Sequence, residues 1–374
     1  VALNATFDTA ANLVSNLDNI TTIAGAGDTT SVNFGAGGST ASQLRLIGGS
    51  SVVIANSVTA NTGINISTLN TAQTTGTITI NSANNTLSSA GTLTINSASG
   101  DVNIKTLVGI ADITAVHVID VDNAGGNLTL KGTGWANAGV ILKASELTIG
   151  SDSTTSLGNS TSQADVRIDS LTLDDAVDVY LTDGGALELK GGNATGIINI
   201  VSDGAITLGT ADLTANTVGK SLTIDSGSAT YSQGDVDILA GANAVTIIAD
   251  GIALTDNLND DAITTSGTLL IKPKTASTTI GIGGGTGTLN ISDAELADLG
   301  AATNLVIGDT ASGAIAADTI TLGSNTTLIG ASFAVQDAAD QIIAANQNLT
   351  INADGDIALG ASNISIALSG SSTL

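Results

Sequence analysis

An all-β fold, a single-stranded parallel β-helix (β-solenoid), is what this sequence predicts, and three observations predict it. A phrase of aliphatic, polar, aliphatic residues returns along the chain, as Ile78-Thr79-Ile80, Leu93-Thr94-Ile95, Leu128-Thr129-Leu130, Leu147-Thr148-Ile149, Leu187-Glu188-Leu189, Ile206-Thr207-Leu208, Leu222-Thr223-Ile224 and Leu349-Thr350-Ile351. Strict alternation marks a half-buried strand, and its return at one broad interval marks a solenoid. The core material is uniform: aromatics are 2% of residues, Met and Cys are absent, and Ile, Val, Leu and Ala remain. Such side chains stack in identical layers where rings would bulge. Finally, 45 glycines accompany one proline. Gly supplies tight corners, and Pro lacks the N–H that a strand paired on both sides must donate.

The elements follow in order. Residues 1–19 differ from the rest: Ala10, Leu13, Val14 and Leu17 fall at helical spacing behind Asp8 as N-cap. A short amphipathic helix over 8–16 is therefore expected to cap the first coil, because a solenoid end exposes unpaired strand edges. From residue 20 to 374 one continuous solenoid is expected. Leu128, Leu147 and Val166 open successive phrases at equal spacing, and Leu187 and Ile206 repeat that step, which predicts about 20 residues per coil. One coil cannot stand alone. Its few aliphatic side chains give about 1.5–3 kcal/mol each on burial, against about 1–2 kcal/mol per residue of backbone ordering.

Two segments interrupt the pattern. Ser292-Asp293-Ala294-Glu295 reads as a capping box that opens a short helical excursion over 292–299. Residues 333–346 read either as another helical excursion or as a strand with a polar loop. Pro273 follows the apolar stretch 269–271 and predicts a corner there. Ile364 to Leu368 still alternates close to Leu374, so the far end is expected to be covered by another subunit or to continue in a longer rod. Beginning at Val1 rather than Met, the sequence is expected to be a processed or cut segment.

The charge narrows the partners. With 34 acidic against 9 basic residues the net charge is −25, the opposite of what nucleic acid or an anionic membrane surface requires. No apolar run reaches the ~18 residues of a membrane span, and no basic-then-apolar leader is present. The absence of Cys excludes disulfides.

Candidate chemistry is sparse. Acidic clusters occur at Asp120/Asp122, Asp174/Asp175, Asp256/Asp260/Asp261 and Asp354/Asp356. Calcium takes several oxygen ligands, and Asp354-Gly355-Asp356 is the most suggestive candidate; solvated turn residues are the alternative. Gly283-Gly284-Gly285-Thr286-Gly287-Thr288-Leu289 invites comparison with calcium-binding nonapeptide repeats, but Thr288 stands where the motif needs Asp, and tandem copies are missing. A glycine-rich corner explains it better. Polysaccharide lyases and hydrolases also use β-helices and need convergent carboxylates and bases. Here Asp174-Asp175 near Lys190 is the best cluster, its two carboxylates alternate in direction along a strand, and Arg45, Arg167 and His117 are the only arginines and histidine. No catalytic or cofactor-binding residue is assigned. Threonine pairs Thr77/Thr79 and Thr92/Thr94 resemble the flat faces of ice-binding solenoids without persisting as rows. Trp135, Tyr180 and Tyr231 are isolated. Sequons at Asn65, Asn127, Asn193, Asn325 and Asn348 arise readily by composition in an Asn-, Ser- and Thr-rich strand protein; surface glycosylation is the alternative reading.

Residues 278–296, TTIGIGGGTGTLNISDAEL, continued by Leu305-Val306-Ile307-Gly308 and Ser312-Gly313-Ala314-Ile315, resemble a repeat of filamentous-haemagglutinin-like exoproteins. These are long right-handed β-helix adhesins of Gram-negative bacteria, often exported by two-partner secretion. The close resemblance covers about a tenth of the chain on this motif reading; the general texture covers nearly all of it. The family's secretion domain is not recognisable, and no Arg-Gly-Asp triplet occurs. The resemblance implies an extracellular β-helical rod of the cell surface, and the lack of convergent groups adds the expectation that it is not an enzyme. That rod would be a filament subunit that associates end to end or a stalk fragment of a giant adhesin; a β-helix polysaccharide lyase or hydrolase is the outlying reading in its place. A host-cell or carbohydrate receptor is a further expected partner, for which the resemblance hands over no site.

Overall fold

The computed structural model describes residues 5–7, 20–24, 32–34, 39–48, 51–54, 58–68, 77–80, 87–89, 92–97, 102–104, 119–130, 135, 140–150, 155–255, 262–336, 341–359 and 365–369. The chain is a parallel β-solenoid, and it divides into two compact units, Val1–Gly184 and Gly185–Leu374.

In the first unit the recurring phrases lie over one another. Ile66 pairs with Ile95, Ile95 with Val121, Val121 with Leu142 and Leu142 with Val166, all in parallel register. A second column runs Ile80, Ile104, Leu130, Ile149, Leu173. Leu130, Leu142, Ile149 and Val166 are fully buried. Ala5–Phe7 forms a strand beside Val32–Phe34, so the ladder begins inside the segment expected to be a separate cap. The helix expected over 8–16 lies outside the described residues.

In the second unit one column reads Ile200, Ile224, Ile247, Ile271, Ile307, Leu328, each at most 1% exposed. Its parallel neighbour reads Ile198, Leu222, Val245, Leu269, Leu305, Thr326. Thr326 is the polar member, and its hydroxyl donates to the Ser324 carbonyl at 3.0 Å. Similar aliphatic side chains repeated at the inter-strand distance of about 4.8 Å pack layer on layer.

The coil spacing is about 23 residues, longer than the expected 20. Leu128 pairs with Leu147 and Leu187 with Ile206, each 19 residues on, whereas Leu222 pairs with Val245, 23 residues on. The evenly spaced phrases belong to short coils, and longer corners elsewhere raise the average.

The greatest departure is the coil from Leu269 to its partner Leu305, 36 residues later. The extra chain forms the strands Ile280–Ile282 and Leu289–Ile291, which pair in parallel only nine residues apart. So short a return needs glycine: a Cβ on Gly287 would lie 2.0 Å from the Gly281 nitrogen, and one on Gly285 2.1 Å from the Ala316 oxygen. The glycine-rich stretch is thus a backbone-packed corner. A helix, Asp293–Asp298, follows with Ser292 as N-cap and the full capping box. Glu295 also reaches the neighbouring coil: one carboxylate oxygen accepts the Leu254 N–H at 3.0 Å, and the other accepts the Ser292 N–H at 2.8 Å. Glu295→Ala leaves both donors without that acceptor and should cost about 2 kcal/mol, read as a lowered urea midpoint with unchanged slope. Gln at this position should restore part of it. Between 333 and 346 the structure has strands, Ser332–Val335 and Gln341–Ala345; residues 337–340 lie outside the described residues.

Candidate functional site

Successive strands of the second unit end at stacked corners, and register brings Asp225 beside Ile248 and Ile248 beside Lys272. The corner Lys272-Pro273-Lys274-Thr275 gathers charge from the coils on both sides. The Lys274 ammonium donates to Asp225 at 2.6 Å, although 49 residues separate them. Asp225 is itself buried and accepts the Gly227 N–H at 2.9 Å. Asp250 accepts the backbone N–H groups of Lys274 and Thr275, both at 2.9 Å, and the Thr275 hydroxyl. On the other side the Lys272 ammonium donates to Asp309 at 3.0 Å. Lys272, Lys274, Thr275 and Asp309 border an open cleft of about 230 Å³, with Ile248, buried Pro273 and Ala311 as its apolar lining.

Burial alone would push the Asp309 carboxyl up. The Lys272 ammonium, the Ser312 hydroxyl at 3.0 Å and the Ala311 N–H at 2.9 Å outweigh that and hold it below the ordinary carboxylate value. A carboxyl depressed on folding adds stability that is present above its unfolded value and is lost as pH falls through its folded value. Acidification below about pH 4 should therefore lower the melting temperature. Asp309→Asn should lower it at neutral pH and flatten the decline below pH 4; an unchanged acid profile would remove Asp309 from the cause.

The candidates read from the sequence do not converge. Asp354 and Asp356 are both exposed, in the turn between Leu349–Ala353 and Ile357–Ala358. Their backbones belong to the ladder: the Asp354 N–H donates to Gly330 at 3.3 Å, and Asp356 accepts the Phe333 N–H at 3.0 Å. Among the described residues no group of three or more His, Cys, Asp or Glu gathers to hold a metal ion. Asp174 is exposed, and Asp175 adopts a left-handed backbone with φ 58°; the strand alternation expected to part the two carboxylates is interrupted there. Asp120 and Asp122 occupy strand positions opposite Ile141 and Lys143. Asp256, Asp260, Asp261 and His117 lie outside the described residues. Arg167 is ion-paired with Asp165.

Two of the three isolated aromatics belong to the core. Trp135 and Tyr231 are fully buried. Tyr231 pairs with Ile206 and Ile252 in the ladder, and its hydroxyl donates to Gln233 at 2.7 Å. Gln233 in turn donates to the carbonyls of Val236 and Ala262. Burial raises the Tyr231 phenol far above its ordinary value, so it stays a neutral donor.

The lysine corner is what sequence reasoning missed. Two of the nine cations stand two positions apart around the only proline, and no Lys or Arg follows in the remaining hundred residues. That local excess in an acidic chain is the available signal. Among the described residues no helix is long and apolar enough to cross a membrane. Comparison with family models, curated proteins and solved structures gives no match. Fold and geometry therefore define the class, a parallel β-helix repeat protein.

Proposed function

We propose that this chain is a non-catalytic structural protein of the bacterial cell surface. It is secreted and resembles filamentous-haemagglutinin-type adhesins, acting as a rod or as a filament subunit that associates end to end. The observation that carries this reading is the uninterrupted aliphatic column from Ile200 to Leu328. Stacked coils of this kind resist bending and proteolysis because each layer closes the core of the next. The net charge of −25 supports it by opposing lateral sticking, and head-to-tail contacts generate open fibres. Negative-stain electron microscopy over a concentration series tests it. Filaments that lengthen with concentration are the expected result; single short rods at every concentration would exclude the subunit and leave a stalk segment, and compact particles would exclude the rod itself.

A further inference from the structure

We propose that the cleft at Lys272-Pro273-Lys274 binds one neutral sugar unit through a pair of adjacent hydroxyls. This goes beyond the structural role and does not depend on it.

The argument starts from donors. An ammonium carries three N–H groups. Among the described residues Lys272 directs one at Asp309 and Lys274 one at Asp225, which leaves two on each. The carboxylate of Asp309 stands on the same cleft as a fixed acceptor. Ammonium donors beside an acceptor complement a diol, whose hydroxyls each donate and accept. The apolar lining, Pro273, Ile248 and Ala311, suits the C–H face of a sugar ring.

Charge selects a neutral ligand. Asp225, Asp250 and Asp309 outnumber the two lysines, and the whole chain carries −25. An anion meets an excess of negative charge, and a cation meets two ammonium groups. A neutral polyol satisfies both signs without either repulsion. Size limits it further: about 230 Å³ is below the roughly 300–1,000 Å³ of sites for drug-sized ligands, so the cleft accommodates one ring.

Isothermal titration of the full chain with the methyl α-glycosides of glucose, mannose and galactose tests the proposal. At least one should bind saturably at a single site with Kd on the order of millimolar. Lys272→Gln should weaken it roughly tenfold, the cost of a charged hydrogen bond. Ala311→Leu, which fills the cleft and leaves the ion pairs in place, should abolish it with the melting temperature retained. Glucuronate should bind more weakly than methyl glucoside. The proposal is overturned if none of the three glycosides binds saturably, if binding survives Ala311→Leu, or if glucuronate binds more tightly.

Discussion

Ile247→Asp is expected to unfold the coils around it. Ile247 is fully buried and stands between Ile224 and Ile271 in the ladder. A carboxylate there has aliphatic neighbours above and below, and burying an unpaired charge is among the few changes that cost more than about 4–5 kcal/mol. The milder Ile247→Ala removes only transfer and packing, about 2–5 kcal/mol. In a solenoid each coil is stabilised by its neighbours, so the loss spreads along the column instead of staying at one strand. Hydrogen exchange reads this directly: protection should fall at Ile224 and Ile271 as well as at 247. Loss confined to residues 244–248 would show that the coils are stabilised separately.

Gly308→Ala is expected to cost about 3 kcal/mol, combining backbone strain of roughly 1–3 kcal/mol with a steric clash. Gly308 has φ 83°, and an added Cβ would lie 2.1 Å from the Ile329 carbonyl oxygen. That oxygen belongs to the paired strand Asn325–Gly330, so relief means moving a strand of the next coil. Gly209 is the control: an added Cβ there meets nothing within 4 Å, and Gly209→Ala should change stability by less than about 0.5 kcal/mol. Chemical denaturation of both variants measures the difference. Equal effects would mean that the close approach at Gly308 is not what limits this position.

The strands were legible because a side-chain period of two is written directly in residues such as Leu222-Thr223-Ile224, which form the strand Ser221–Asp225. The helix start was legible for the same local reason: Ser292 and Glu295 carry both halves of the box. Coil length was not, because it depends on corners, and corner length has no fixed pattern; the 36-residue coil from Leu269 to Leu305 contains a nine-residue return that imitates an ordinary step. The place of Tyr231 was not legible, because its acceptor, Gln233, reads as polar strand and reveals itself as core only through Val236 and Ala262. The lysine cleft was hidden because its lining comes from three coils and Lys274 pairs with a fourth, at Asp225, 49 residues away. Which corner lies beside which is a question of register, and register is set by the full length of each coil.

Inter-coil register is therefore the quantity to measure, and the cysteine-free chain allows clean labelling. Asn199, Thr223 and Thr246 are successive register partners on three coils. Spin labels introduced pairwise at these positions should show strong dipolar broadening for Thr223 with Thr246, one strand spacing of about 4.8 Å apart, and weaker coupling for Asn199 with Thr246, about twice that. Separations beyond about 20 Å for the first pair, more than four strand spacings, would contradict a solenoid of parallel coils stacked in this register.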